Sequence, residues 1–202
     1  TSEIVKAVKK PVTVKTRLGW DDDSKIICDL AEKLQDTGIS ALTIHGRTRA
    51  QMYSGEADWS LIAEVKSNPR MKIPIIGNGD IDSPEKALQM FKNSGVDAIM
   101  VGRAAIGNPY IFSRIKNYLN NSVLEPELSV EAQVKVLIEF TKKSIEFKGL
   151  PGGVIHMRRH YAKAFKGLPN ISEKRIELLR ATDFERILEI FEQILNYSQV
   201  KN

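Results

Sequence analysis

Ile73-Pro-Ile-Ile-Gly-Asn-Gly-Asp80 and, a turn further on, Ala98-Ile-Met-Val-Gly-Arg-Ala-Ala105 are short apolar runs, rich in β-branched residues, that stop at glycine and one or two polar groups. A helical pattern resumes after each. Such a run reads as a strand that delivers the chain into a tight loop. A glycine just past a strand leaves backbone N–H groups bare to an anion, and the helix start that follows adds its partial positive charge. Two such loops in succession can grip one phosphate.

Upstream, the same grammar repeats. Pro11-Val-Thr-Val-Lys-Thr-Arg17 reads as a strand and Gly19-Trp20 as its loop. Ile27, Leu30, Ala31 and Leu34 recur at helical spacing, and Gly38 stands where a left-handed residue closes a helix. Ala41-Leu-Thr-Ile-His45 is the next strand, followed by Gly46-Arg-Thr-Arg49. Asp58 is expected to cap the helix through Leu61, Ile62 and Val65, and Asp82 with Glu85 to form a capping box around Pro84. Val96 to Val101 is expected as the fourth strand and Pro109 to Leu119 as the helix after it. Strand starts near 12, 41, 73 and 97 repeat at about the thirty-residue length of a βαβ unit. The class is α/β with a parallel sheet, preceded by the amphipathic stretch Thr1 to Lys9.

Around Asn120 to Leu128 the pattern lapses, which divides the chain into residues 1–122 and 123–202. The second part reads as wholly helical: a stripe through Val130, Val134, Leu137 and Thr141, a break over Gly149 to Gly153, helices over His156 to Phe165 and Ser172 to Leu179, and a last stripe from Phe184 to Leu195 behind the capping box Thr182-Asp-Phe-Glu185.

Composition narrows the function. At 202 residues, 42% hydrophobic and 27% charged, the chain can bury a core, and no apolar run is long enough to cross a bilayer. A cytoplasmic protein is expected, with no membrane partner. Cys28 is the single cysteine, which excludes an internal disulfide and a Cys-rich metal site. His156 and His160 have a zinc-compatible spacing, but Arg158 and Arg159 between them repel a cation, so no metal is expected. Between Lys142 and Arg180 ten Lys or Arg face three Glu, a surplus that suits a polyanion.

Four βα units can make a small open sheet or part of a closed (β/α)8 barrel, and periodicity does not choose. The motifs Val14-Lys15-Thr-Arg17 with Gly19-Trp20, Thr43-Ile-His45-Gly-Arg47-Thr-Arg49, Ile76-Gly-Asn78-Gly-Asp80 and Val101-Gly102-Arg103-Ala-Ala-Ile-Gly-Asn-Pro-Tyr-Ile-Phe112 do. In order and spacing they resemble the tRNA-dihydrouridine synthase family, of the bacterial B type, over essentially the whole chain. The resemblance implies strands five to eight of an FMN-binding TIM barrel followed by a helical tRNA-binding domain, reduction of uridine to dihydrouridine in tRNA, and NADPH as the reductant of FMN.

The same resemblance implies that the first half of the barrel, with the cysteine that protonates the uracil ring, lies outside this sequence. Cys28 does not match that position, so no catalytic residue is expected here and the chain alone is expected to be inactive. A piece of a longer protein is expected, and four strands with two open edges are expected to self-associate.

For the cofactor, Lys15 is expected beside the flavin ring where negative charge collects on reduction, His45 at the flavin, and Asn78, Gly79, Asp80, Gly102 and Arg103 around its phosphate. The alternatives weighed against these are an edge-strand surface lysine for Lys15 and a satisfied structural histidine for His45. Arg47 and Arg49 are read as RNA contacts in preference to flavin phosphate, as are Arg158, Arg159, His160 and Lys163, with Tyr161 available for stacking. Two other functions fit fewer of these features: an FMN barrel oxidoreductase for a free metabolite, which leaves the basic tail idle, and a non-catalytic RNA-binding module.

Overall fold

The four apolar runs form four parallel strands, β1 (Thr13–Arg17), β2 (Ala41–His45), β3 (Ile75–Asn78) and β4 (Ala98–Met100), in the order β1-β2-β3-β4. The computed structural model describes residues 1–165, 167–169 and 171–199, with Gln199 described by its backbone alone. It divides into two units, Thr1–Ala104 with Ile111–Leu124, and Ala105–Tyr110 with Glu125–Asn202.

In the first unit the helices are α1 (Ser2–Ala7), α2 (Ile27–Asp36), α3 (Ser60–Ser67), α4 (Pro84–Ser94) and α5 (Ile111–Asn121). Side chains alternate across a strand, so register sorts them into two faces. Val14, Leu42, Ile44, Ile75 and Ile99 join Ile27, Ala31, Ile62 and Val65 of α2 and α3 in one apolar core. The opposite face carries two rows read across the sheet: Lys15, Thr43, Ile76 and Ala98, then Arg17, His45, Asn78 and Met100. Because the strands are parallel, their C-terminal ends and the loops that follow share one edge. Parallel strands alternating with helices, followed by a helical unit, are the architecture of half a (β/α)8 barrel and its appended domain.

Several element ends differ from expectation, each for a local reason. Pro84 occupies the first helical position of α4, which makes Ser83 the cap; its Oγ accepts from the Lys86 amide at 3.1 Å, and Asp82 is outside. α3 is entered through Trp59, with Asp58 accepting from the Ser60 amide at 2.9 Å. The Arg186 amide donates to Asp183, not Thr182, at 2.8 Å. β4 is shorter than Val96 to Val101 because Asp97 turns its carboxylate to the Ile75 amide and to Lys66, while Val96 is buried.

The second unit holds α6 (Val130–Lys148), α7 (Gly152–Tyr161), α8 (Ile171–Arg180) and α9 (Phe184–Gln199). The expected break at Gly149 to Gly153 is shorter, and α7 begins at Gly152. Gly153 lies against α6 so closely that a Cβ there would stand 2.5 Å from the Ile145 Cα. The two helices meet backbone to backbone, and the Ser144 hydroxyl donates to the Gly153 carbonyl at 2.9 Å. Tyr161, expected to be free for stacking, is fully buried instead. Its phenol shares a 2.6 Å hydrogen bond with Thr141, and burial pushes its pKa up to about 12. Phe191 of α9 stands edge-on to Tyr161 and Phe165, with ring centroids 5.9 and 6.1 Å apart. Phe191→Ala opens a void at this three-ring centre and is expected to cost about 3–5 kcal/mol, measured by urea unfolding of the chain.

Candidate functional site

The loops at the C-terminal edge of the sheet are joined by one ion pair. Arg47, on the loop after β2, and Asp80, after β3, form a two-pronged pair at 2.7 Å on each prong. The Arg47 guanidinium also donates to the Ser54 carbonyl at 3.2 Å and the Gly55 carbonyl at 2.5 Å, and only 2% of its side chain is exposed. Asp80 accepts from the Ala57 amide at 2.8 Å and from Arg103 Nη2 at 2.9 Å. Burial would raise the Asp80 pKa, but the bonds from Arg47 and Ala57 and the charges of Arg47 and Arg103 hold it below the usual carboxylate range.

One expectation is corrected by this geometry: Arg47, read as an RNA contact, is spent inside the protein. Both Asp80 oxygens accept from protein donors, and one of them holds Arg103.

Arg103 itself is half exposed. Its guanidinium carbon stands 4.5 Å from the centroid of the Tyr53 ring, so a carboxylate and an aromatic face aim it together. Beside it Gly102 has open space: no heavy atom lies within 4 Å of where a Cβ would stand. Gly79 differs, since its φ of +138° and the nearness of Ala57 leave no room for a side chain. The Asn78 amide donates to the Met100 carbonyl at 2.7 Å and ties β3 to β4 at the site. Trp59 donates from Nε1 to the Gly79 carbonyl at 3.1 Å, supporting the loop from the helix side.

Arg17 is a contributor whose role its motif does not assign. It ends β1 and donates to the Thr48 carbonyl at 2.6 Å and the Met52 carbonyl at 3.1 Å. Arg17 and Arg47 thus hold the loop after β2 at two points. Its motif was visible, but its acceptors are backbone carbonyls 31 and 35 residues away, for which no residue type is a signal. Arg49 stays exposed on this loop, its guanidinium 2.7 Å from the Met52 sulfur.

Lys15 and His45 stand on the face opposite the helices, in adjacent rows. Burial and Arg17 hold the Lys15 pKa below the ordinary lysine value. His45 is buried, and burial, then the charges of Arg17, Lys15 and Arg47, push its pKa down to about 4, so the imidazole is neutral at pH 7. Cys28 lies on α2 in the helix-side layer, its thiol pushed up to about 11 by burial and Glu64.

In the helical unit the expected RNA residues sort into two groups. Arg159 and Lys163 are exposed. Arg158 turns inward, its Nη2 3.4 Å from the Ala181 carbonyl and its Nε buried. His160 accepts the Gly107 amide at 3.2 Å on Nδ1 and stands edge-on to Phe140. Arg158 and His160 are therefore committed to the fold. No cluster of three or more His, Cys, Asp or Glu that could hold a metal occurs among the described residues, and no helix there is long and apolar enough to cross a membrane.

Parallel βα units with cationic groups gathered at the strand C-termini are the arrangement in which barrel folds build their sites. A family model described as dihydrouridine synthase (Dus) matches residues 1–198, and the chain belongs to that family. It is 40% identical over 196 residues to a probable tRNA-dihydrouridine synthase of Rickettsia bellii (strain RML369-C), covering 95% of this chain and 60% of that protein. It is 43% identical over 172 residues to tRNA-dihydrouridine synthase B of Vibrio vulnificus (strain CMCP6), covering 85% and 53%. With tRNA-dihydrouridine synthase B of Xanthomonas campestris pv. campestris (strain ATCC 33913) the identity is 42% over 180 residues, covering 89% and 54%. The chain spans about half to three-fifths of the length of these curated relatives.

Two outcomes test the site. Arg47→Met leaves Asp80 without its main partner and is expected to cost about 3–5 kcal/mol, read by thermal and urea unfolding. Unfolded, His45 takes up a proton as pH falls through about 6.5; folded, it does so only near 4. Over that window the unfolded state binds more protons, so stability falls with pH, by on the order of 2–3 kcal/mol. His45→Gln flattens this part of the profile, and an NMR titration midpoint above 6 for native His45 would contradict it.

Proposed function

We propose that this chain carries the cofactor-phosphate and RNA-docking parts of an enzyme that reduces uridine to dihydrouridine in tRNA, with FMN as cofactor and NADPH as reductant. The observation that carries the reading is the pairing of bare space at Gly102 with an Arg103 guanidinium already aimed by Asp80 and Tyr53. The residues fit a phosphate monoester: a planar permanent cation, an open glycine beside it, and a neighbouring strand end supported by Asn78 and Gly79.

In this reading Arg103 and the Gly102 backbone hold the phosphate, while Asn78 and Gly79 shape the adjoining wall. Lys15 supplies positive charge to the ring, and the neutral His45 offers a hydrogen-bonding edge with no second cation. The chemistry supplied by FMN when bound is hydride transfer, from NADPH and on to the uracil ring of a tRNA uridine. A stacked pyrimidine cannot present its face, so the uridine must leave its stack. Cys28 is no proton donor to that ring, because it sits on the helix side of the sheet and its thiol is a weak acid. The exposed Arg49, Arg159 and Lys163 are the side chains offered to RNA phosphates.

In the complete protein, native enzyme is expected to carry a visible flavin absorbance band, and Arg103→Met to lose FMN affinity by about tenfold or more, measured by quenching of FMN fluorescence. Equal affinity in native and variant would refute the phosphate assignment. The chain alone is expected to leave tRNA unmodified; dihydrouridine formed by it from tRNA, FMN and NADPH would refute the proton-donor argument.

A further inference from the structure

The turn between α6 and α7 is apolar at its tip and basic around it. Phe147 is 86% exposed, Leu150 58% and Ile155 41%, all within nine residues of chain. From Lys142 to Lys163 there are six Lys or Arg against the single Glu146, and of these Lys142, Lys143, Lys148, Arg159 and Lys163 are exposed. The Lys148 ammonium lies 5.7 Å from the Phe147 ring centroid, at the reach of a cation–π contact.

The tip is also rigid. The Gly149 amide closes α6 on the Ile145 carbonyl at 2.7 Å, and the Gly153 amide donates to the Gly149 carbonyl at 2.7 Å. Gly153 presses on the α6 backbone, and the Thr141–Tyr161 bond pins the helices one to two turns further in. An apolar side chain held out on a braced turn loses little conformational freedom when it is covered, which favours binding.

We propose that this hairpin tip is a nucleobase platform: Phe147 stacks on an unpaired base of a folded RNA loop, Leu150 and Ile155 border it, and the surrounding lysines with Arg159 take the flanking phosphates. The inference rests on the tRNA reading above and deepens it, because phosphate contacts alone do not distinguish loop from duplex. Charge complementarity selects the occupant. Lys148 at the Phe147 ring, with exposed Lys142 and Lys143 earlier on α6 and Arg159 on α7, matches a polyanion whose bases can be unstacked, and base–aromatic stacking tolerates any base. An anionic lipid surface would meet the same cations, but three apolar side chains spread over the end of α6, the turn and the start of α7 provide little to insert into a bilayer.

The test is fluorescence anisotropy of the full chain with a labelled unmodified tRNA transcript and with a labelled RNA duplex, over a range of salt. Phe147→Ala is expected to weaken tRNA binding roughly tenfold, to leave the salt dependence and the duplex affinity unchanged, and to melt at the native temperature; Phe147→Tyr restores affinity. Lys143→Ala is expected to weaken both RNAs and to lower the salt slope by about one. Native tRNA affinity in Phe147→Ala overturns the platform and leaves the tRNA reading standing. Binding of the native chain to phosphatidylserine vesicles but not to tRNA overturns both.

Discussion

A guanidinium almost sealed from water is costly unless its donors find acceptors, and the strand-end site depends on where Arg47 finds its four. Its acceptors come from two places, the carboxylate of Asp80 and the carbonyls of its own loop. The bond that satisfies the buried cation therefore also joins the loop after β2 to the loop after β3. Asp80 then has capacity left for the Ala57 amide and for Arg103. One internal ion pair thus fixes the position of a second cation that faces outward. Exposed pairs elsewhere, such as Lys6 with Glu3 at 3.3 Å, carry no such consequence.

The helical unit sorts its cations in a comparable way. Arg158 of α7 reaches the Ala181 carbonyl just past α8, and Arg175 of α8 reaches the Ala164 carbonyl just past α7. Each covers a helix C-terminal end where carbonyls lack partners and the helix dipole favours positive charge. Arg158 and Arg175 thus close helix ends, while Lys142, Lys143, Lys148, Arg159 and Lys163 are left to solvent.

The strands and their order were legible because apolar runs and a thirty-residue repeat are local signals. The partition of charge was not. Arg47 and Arg49 are two residues apart and read alike, yet one is buried and the other exposed, because the Asp80 that decides between them is 33 residues from Arg47. Tyr161 looked available beside Arg158 and Arg159, but its partners Thr141 and Phe191 lie on other helices. Gly152 and Gly153 looked like a break because glycine weakens an isolated helix; close contact with Ile145 outweighs that cost here.

The two residue rows on the sheet face opposite the helices share a trend along the hydrogen-bonding direction. One passes from Lys15 through Thr43 and Ile76 to Ala98, the other from Arg17 through His45 and Asn78 to Met100. Both begin on a cation at β1 and end on an uncharged apolar residue at β4. Strand register alone therefore puts the charge at one margin of the sheet and the apolar residues at the other.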